Sequence, residues 1–231
     1  MKYSKDRTLL INILIAIFCL IGTVFIPSLL VVFLSRYIKN RVLCLTIGES
    51  VFAIILYLLY FKDLNSEAKI YFKDFWNNFK KSFKLYIIGY MGMVFFALLG
   101  YLILKNISSN EEQVREMLYN NTLLTMISIS ILAPISEEIV FRKSLQPIIK
   151  NKWVYVVVCG LLFGCAHILT DIVNNSFAIS DFIYTLPYAC LGASFALMDH
   201  ESKSTFSSII IHSFHNTITG ILLLITYLGG K

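Results

Sequence analysis

The first long apolar stretch of the chain runs from Leu9 to Leu34 and reads LLINILIAIFCLIGTVFIPSLLVVFL. It contains no charged side chain, and about 20 mostly apolar residues are enough to cross the hydrocarbon core of a bilayer. The stretch is much longer than the apolar region of a signal peptide, and no small-residue cleavage site follows it cleanly. We therefore interpret it as a retained membrane helix.

The composition of the 231 residues extends this interpretation to the whole chain. Hydrophobic residues make up 57% and charged residues 15%, whereas soluble domains contain roughly 45–50% and about 25%. These values exclude a disordered, collagen-like or coiled-coil protein. The net charge of +6 comes from few acidic residues rather than from a basic face, so no nucleic-acid partner is expected. The five cysteines lie inside apolar runs, which indicates buried thiols rather than a disulfide framework or a CxxC metal site.

Six further apolar stretches follow the first one. Each is about as long as a membrane span requires. We predict membrane helices at residues 42–61, 85–104, 122–149, 153–170, 182–198 and 205–228. The predicted fold is an all-α polytopic bundle of about seven transmembrane helices, forming one domain over residues 1–231.

Two segments between the spans have a different character. Residues 62–84 combine aromatic side chains with six lysines. Aromatic groups on one side and lysines on the other are typical of an amphipathic helix that lies in the membrane surface. Residues 105–121 are polar, and we predict a short exposed helix there.

The positions of Lys and Arg predict the orientation. If the N-terminus is cytoplasmic, thirteen of these residues fall in inside segments and six in outside segments, and an inside excess is the usual pattern. The Lys-, Ile- and Asn-rich composition favours an AT-rich bacterial genome. We therefore predict an integral protein of a bacterial plasma membrane with a cytoplasmic N-terminus.

Several polar residues interrupt the later spans. An ionisable group inside a span costs at least ~2.5 kcal/mol on insertion scales, and such groups usually face the bundle interior and have a function. The residues concerned are Glu49, Glu137, Glu138, Arg142, His167, His212 and Asn216. We expect them to mark a functional site.

Helical spacing sorts these residues into groups. Glu138 and Arg142 are four residues apart and can pair along one face, whereas Glu137 points about 100° away from Glu138. His212 and Asn216 are also four residues apart and share a face. A structural ion pair, or hydrogen bonds between helices, would explain the same spacings without any catalytic role.

Glu137 and His167 are related by their distance from one turn. The fourth and fifth predicted spans are joined near Asn151, about 14 residues after Glu137 and about 15 before His167. In an antiparallel helix pair these distances bring the two residues to the same depth. A carboxylate and an imidazole at one level inside an apolar bundle could act together to activate water. Asp171, four residues after His167, is interpreted as facing water at the helix end.

Three motifs occur in order on the late spans. They are Glu-Glu-x-x-x-Arg from Glu137, Phe-x-x-x-His ending at His167, and His-x-x-x-Asn from His212. In this order the chain resembles, over about residues 131–222, the CPBP or Abi family of CAAX proteases and bacteriocin-processing enzymes. The resemblance implies a glutamate-dependent intramembrane endopeptidase with a catalytic core at about residues 122–228.

The same resemblance implies roles for individual residues. Glu137 would be the catalytic glutamate and His167 its partner in activating water. His212 and Asn216 would stabilise the oxyanion, with Glu138 and Arg142 orienting the site. Many family members carry Gly after the motif arginine, where this chain has Lys143.

The sequence does not decide between alternative cofactors and substrates. The family is often classed as metalloprotease, which would make Glu137, His167 and His212 ligands of a divalent metal such as zinc; a metal-free glutamate mechanism is the alternative. Possible substrates are membrane-associated peptides or proteins, namely prenylated CAAX tails, peptide pheromones, bacteriocin leader peptides or a membrane regulator. In a bacterium, bacteriocin maturation or self-immunity is the favoured role over prenyl processing. Glu49 receives no role, and His215 is interpreted as accessory.

Two other functions are compatible with the pattern. The carboxylates and histidines could form the proton relay of a transporter, although the chain lacks the paired halves and broken spans that transporters tend to have. A membrane scaffold or immunity protein could bind a partner without cleaving it. Because every motif position is filled, the protease is the favoured hypothesis.

Overall fold

The computed structural model describes residues 3–169 and 179–229, and these residues contain helices and no β-strand. The α-helices are α1 (Leu9–Leu34), α2 (Arg41–Lys73), α3 (Phe75–Leu104), α4 (Ser109–Asn120), α5 (Thr122–Ile127), α6 (Ala133–Glu138), α7 (Lys152–Ala166), α8 (Thr185–Ser202) and α9 (Phe206–Gly229). Two π-helical turns, Ser128–Leu132 and Ile139–Lys143, extend α5 and α6 into one rod. A 3₁₀ turn, Ile179–Tyr184, precedes α8.

Six helical segments in the described part of the chain are long and apolar enough to cross a membrane. They are Leu9–Leu34, Arg41–Lys73, Phe75–Leu104, Thr122–Lys143, Ser180–Ser202 and Phe206–Gly229. The prediction of an all-α polytopic bundle is therefore confirmed. The predicted fifth span corresponds to the shorter α7, and the end of that prediction, together with Asp171, lies outside the described residues.

The fourth span ends earlier than the sequence analysis predicted. It stops at Lys143, and the chain then turns instead of continuing as a helix to residue 149. Pro147 explains the difference, because proline lacks an N–H group and disfavours helical geometry in the residue before it.

The helical segment predicted at residues 62–84 is present, but it is divided at Asp74 between the end of α2, beyond a kink, and the start of α3. The backbone kinks at Tyr60 (φ −115°, ψ 17°) but α2 continues to Lys73, and α3 begins directly afterwards at Phe75. The reason is that Asp63 and Glu67 are buried against the bundle, which holds this end of α2 to neighbouring helices. All six lysines of the segment are exposed, as the amphipathic pattern predicts.

The short helix predicted within residues 105–121 is present as α4. The side chain of Ser108 caps its N-terminus by accepting a hydrogen bond from the backbone N–H of Glu111, a standard capping arrangement. Glu112 and Glu116 face outward, while Leu118 is buried. The helix therefore packs across one end of the bundle.

One end of the bundle, which we call the closed end, is held by buried ion pairs. Lys143 at the end of the fourth span pairs with Glu67 and lies 3.7 Å from Asp63, both from the end of α2. Asp63 also accepts hydrogen bonds from the backbone N–H (3.0 Å) and hydroxyl (2.8 Å) of Ser4. Glu67 accepts a hydrogen bond from the backbone N–H of Thr205 at 2.9 Å. The N-terminus, α2, the fourth span and α9 thus meet at one level.

Small residues let α7 and α8 pack closely. A Cβ atom at Gly164 would lie 2.9 Å from Cγ2 of Thr185, and one at Gly192 would lie 2.9 Å from Cβ of Phe163. Contact this close requires residues without a side chain at the crossing, as is common between membrane helices. The packing brings the end of α7, which carries His167, against α8.

Candidate active site

A cavity of about 550 Å³, which we call the main cavity, lies among the membrane helices. It extends from the fourth span to the connection between α3 and α4, at the end of the bundle opposite the closed end. Its polar lining includes Glu49, Glu137, His167, His212, His215, Asn216, Asn106, Ser108, Asn110 and Glu111. The rest of the wall is mainly apolar, so these groups face a space large enough for several residues of an extended peptide.

His212 of α9 lies between the two glutamates of the fourth span. Its Nδ1 is 2.8 Å from Oε1 of Glu138, and its Nε2 is 3.7 Å from Oε2 of Glu137. An ionised carboxylate only accepts hydrogen bonds, so Nδ1 carries the hydrogen that faces Glu138. Nε2 is then an acceptor when the ring is neutral and a donor when the ring is protonated.

The two glutamates differ in burial. The side chain of Glu138 is fully buried, whereas that of Glu137 is 25% exposed. Consecutive helical residues point about 100° apart, which directs Glu138 into the bundle and Glu137 into the main cavity. Of the two carboxylates, Glu137 is the one that a substrate or a water molecule can reach.

Arg142 balances the buried charge of Glu138. Its Nη1 lies 3.0 Å from Oε1 of Glu138, and its Nη2 donates to the backbone oxygen of Gly192 at 3.0 Å. The guanidinium also lies over the rings of Phe163 and Phe195, at 4.6 and 5.5 Å from their centroids. Aromatic faces attract cations, so the arginine is held from four sides and fixes the carboxylate that orients His212.

His167 lies at the end of α7. Its Nδ1 donates to the backbone oxygen of Phe163 at 2.8 Å, which leaves Nε2 as an acceptor in the neutral ring. The ring stacks on Tyr188 of α8, with centroids 4.0 Å apart and an angle of 16° between the planes. His167 and Glu137 line the same cavity, but no hydrogen bond or ion pair joins them in the part of the chain that the structure describes.

Asn216 faces the π-helical turn that precedes Glu137. Its Nδ2 donates to the backbone oxygen of Ile129 at 2.8 Å. A π-helical turn leaves some carbonyl groups without the usual partner and often occurs at functional sites. The amide has a second N–H and an oxygen, so one hydrogen bond does not exhaust its capacity.

The structure thus brings four of the predicted site residues to one cavity and sets the other two behind it. Glu137, His167, His212 and Asn216 line the main cavity. Glu138 and Arg142 form the buried pair that holds His212. The catalytic roles of these six residues stay predictions.

Several contacts around the site were not foreseen. Tyr188 stacks on His167, and its hydroxyl is bonded to Ser108 and Asn110 at the α3–α4 connection. His215 is hydrogen-bonded through Nδ1 to the hydroxyl of Tyr86 at 3.0 Å. A tyrosine in an apolar span carries no charge and follows no spacing rule, so the sequence offered no signal for these partners.

In residues 3–169 and 179–229, no group of three or more His, Cys, Asp or Glu side chains is positioned to hold a metal ion. Nδ1 of His212 faces Glu138, and Nδ1 of His167 is bonded to the backbone. In both rings Nε2 stays available, and it is the atom through which His167 and His212 would hold a metal ion together with Glu137.

Comparisons with known proteins concern the part of the chain that holds this site. Over 107 residues the chain is 34% identical to an uncharacterised protein of Mycoplasma capricolum subsp. capricolum. The match covers 46% of this chain and 29% of that protein, so the chain spans well under half of its length. No solved structure matches.

A family match is more informative. Residues 119–218 match the family described as type II CAAX prenyl endopeptidase Rce1-like. This range runs from the end of α4 to the middle of α9 and contains the six residues to which the motifs assign a role in the site. The match confirms over residues 119–218 what the three motifs indicate, a resemblance to the CPBP family of CAAX proteases.

Proposed function

We propose that the protein is an intramembrane endopeptidase that hydrolyses a peptide bond in a membrane-associated peptide or protein. The observation that carries the proposal is the main cavity, in which a reachable carboxylate, two imidazoles and an amide face one space among apolar helices. The family match over residues 119–218 supports a protease in general.

Glu137 is the base in this proposal. Its carboxylate takes a proton from a water molecule as the water oxygen forms a bond to the peptide carbonyl carbon. Nε2 of His167 accepts the second hydrogen of that water as a hydrogen bond and so orients it. The proton held by Glu137 then passes to the peptide nitrogen as the C–N bond breaks, which yields a carboxylic acid and an amine. The proton of the new acid then passes to the amine, so that the products are a carboxylate and an ammonium group. A positioned base of this kind contributes typically about 10²–10⁴-fold to the rate.

Asn216 and His212 stabilise the negative charge on the carbonyl oxygen. Asn216 keeps one N–H on Ile129 and directs the other toward the oxyanion. His212 donates through Nε2, and this requires the protonated ring because Nδ1–H already faces Glu138. Donors that are fixed before the charge develops are among the largest contributions to catalysis.

The position of the cavity suggests the substrate class. We infer that the main cavity opens at the α3–α4 connection, because Asn106 and Ser108 line it; this connection lies at the opposite end of the bundle from Lys143 and Glu67. With a cytoplasmic N-terminus, as the Lys and Arg distribution predicts, this opening faces the outside of the cell. An exported peptide, such as a pheromone or a bacteriocin precursor, fits that side better than a prenylated cytoplasmic tail.

The orientation is tested by thiol labelling. A cysteine at Glu116 of exposed α4 should react with a membrane-impermeant thiol reagent in whole cells. One at Lys150, in the exposed turn after the fourth span, should react only after the cells are opened. The reverse pattern would place the opening of the cavity on the cytoplasmic side and restore the prenylated tail as the preferred substrate.

The activity is tested by comparing membrane peptides from three strains. A deletion strain is complemented with the parent protein, with Glu137→Gln, or with Glu112→Gln as a matched control on the exposed face of α4. The parent and the control should restore the same cleaved peptides, and Glu137→Gln should accumulate the uncut precursor. In H₂¹⁸O each new carboxylate should gain one ¹⁸O atom. Full restoration by Glu137→Gln would refute hydrolysis by Glu137 and favour a scaffold that assists another peptidase.

A further inference from the structure

A second, smaller cavity of about 210 Å³ lies between α1, α2 and α6. We call it the second cavity. Its lining consists of Thr23, Val24, Pro27 and Ser28 from α1, Leu45, Glu49 and Phe52 from α2, and Ala133, Ser136 and Glu137 from α6. No sequence motif involves α1, so the proposed reaction residues do not explain why polar side chains of α1 line a space beside Glu137.

The two cavities share a wall. Leu45, Glu49, Ala133 and Glu137 line both of them. Glu137 therefore faces the main cavity on one side and the second cavity on the other. A peptide in the main cavity would block the approach of water from that side, whereas the second cavity would remain open to the same carboxylate.

The second cavity has the polar lining that water requires. Half of its ten lining residues carry a hydroxyl or a carboxylate. Oγ of Ser136 is buried and has no hydrogen-bond partner among the described residues, and a buried polar group is rarely left without one. Glu49 is fixed there by a hydrogen bond from Ser128. The volume exceeds that of a single water, about 30 Å³ in the liquid, by several-fold.

We propose that the second cavity is a water site that supplies the hydrolytic water to Glu137, from the side opposite the peptide. This inference rests on the proposed endopeptidase function and names the route of its second reactant. Water enters between α1 and α2, past Thr23 and Ser28, and reaches the shared wall. Glu49 acts there as a positioning residue, because its carboxylate accepts hydrogen bonds from water beside Glu137.

Hydration of the second cavity is tested by thiol reactivity. Only the thiolate reacts with methanethiosulfonates, and a thiolate forms in water but not in lipid. With the five native cysteines replaced, Thr23→Cys and Ser28→Cys line the cavity, while Phe25→Cys and Leu29→Cys are matched controls on the lipid-facing side of α1. The controls replace side chains that are 60% and 65% exposed but do not line it.

A small charged methanethiosulfonate should label the two cavity positions at least tenfold faster than the two controls. The same ratio is expected in a Glu137→Gln background, since hydration does not depend on turnover. Equal rates at all four positions would overturn the proposal by showing that the second cavity is dry.

The supply of water to the reaction is tested by making the cavity apolar. The double variant Thr23→Leu/Ser28→Leu should lower kcat at least tenfold with KM changed less than twofold, because the peptide binds on the other side of the wall. Leu29→Phe, a lipid-facing change on the same helix, should leave both constants within twofold. An unchanged kcat in the double variant would overturn the route while leaving the endopeptidase proposal intact.

Failure of the proposed function gives a different result. If Glu137 is not the base, Glu137→Gln cleaves like the parent; if the protein is not a peptidase, the purified parent cleaves no peptide, whatever the labelling rates at α1. Fast labelling combined with a tenfold loss of kcat in the double variant supports the route, and each of the other combinations contradicts it.

Discussion

The closed end and the main cavity differ in how completely their buried ionisable side chains are paired. At the closed end Lys143 is 3% exposed and is surrounded by Glu67, Asp63 and the side-chain oxygen of Gln146. In the main cavity Glu137 is 25% exposed, and one ionisable partner in the described chain is His212, with Nε2 at 3.7 Å from its Oε2. At the closed end the ionic groups are paired, whereas in the main cavity Glu137 keeps hydrogen-bonding capacity for a substrate or a water molecule.

This difference indicates what each region is for. A buried charge that is fully paired holds helices in place, and losing one partner is costly because the other is left alone in a dry site. A carboxylate with a loose partner and access to a cavity can take up a proton or a water. We therefore expect changes at the closed end to act on stability and changes in the main cavity to act on turnover.

The largest effect should come from the Glu138–Arg142 pair, which is fully buried and also holds His212 of the main cavity. Glu138→Ala leaves Arg142 buried without its carboxylate and also removes the group that orients His212. We expect the free energy of unfolding to fall by about 3–5 kcal/mol and cleavage to be lost. Unfolding in mixed detergent micelles and a cleavage assay measure the two effects. A variant that melts like the parent would show that the pair is not buried.

The two proposed oxyanion donors should affect turnover more than substrate binding. His212→Ala and Asn216→Ala are each expected to lower kcat about 10²-fold or more, in line with removal of one donor, with little change in KM. Steady-state kinetics on both variants measure this. A raised KM with unchanged kcat would assign these residues to substrate binding instead. If His212 held a metal, its loss would also strip that metal, and a chelator would inactivate the parent.

The closed end should show the opposite pattern. Lys143→Met keeps the length of the side chain but leaves Glu67 and Asp63 without their cation, so we expect unfolding to become easier by about 3 kcal/mol. The kcat of the folded variant should stay within about threefold of the parent. The matched control is Lys152→Met, which breaks an exposed pair with Glu201 and should cost at most about 1 kcal/mol. Equal losses for both variants would contradict the comparison.

The smallest effect is expected for His215. It lies three residues from His212, but its ring is bonded to Tyr86 of α3 rather than to either glutamate. His215→Ala should therefore lower kcat less than about tenfold. A larger loss than for His212→Ala would mean that the wrong histidine had been assigned to the oxyanion.

Much of the fold follows from the sequence because membrane spans are uniform. An apolar run of sufficient length has few alternatives to a helix in lipid, so the long spans could be located from residues alone. The end of the fourth span and the fate of residues 62–84 could not. They depend on Pro147 and on long-range partners of Glu67 and Asp63, such as Lys143 and Ser4, which no local pattern contains.

Some features of the candidate site could likewise be predicted from the sequence and others could not. The spacing of Glu138 and Arg142 predicted their pairing, which the structure contains. The turn near Asn151 predicted that Glu137 and His167 lie at the same depth, and both line the main cavity. The position of His212 between both glutamates was not predicted, because it depends on how α9 packs against the fourth span. Contacts between helices distant in sequence are set by packing and leave no trace in spacing along one helix.

The central claim, that Glu137 is the base of a peptide-bond hydrolysis, is tested most directly by Glu137→Gln in purified protein reconstituted into bilayers. The amide keeps the size of the side chain but cannot take a proton from water. The account predicts a kcat about 10²–10⁴-fold below the parent, with unchanged substrate binding and unchanged thermal stability. Turnover at the parental rate, with the substrate bound as tightly, would contradict it.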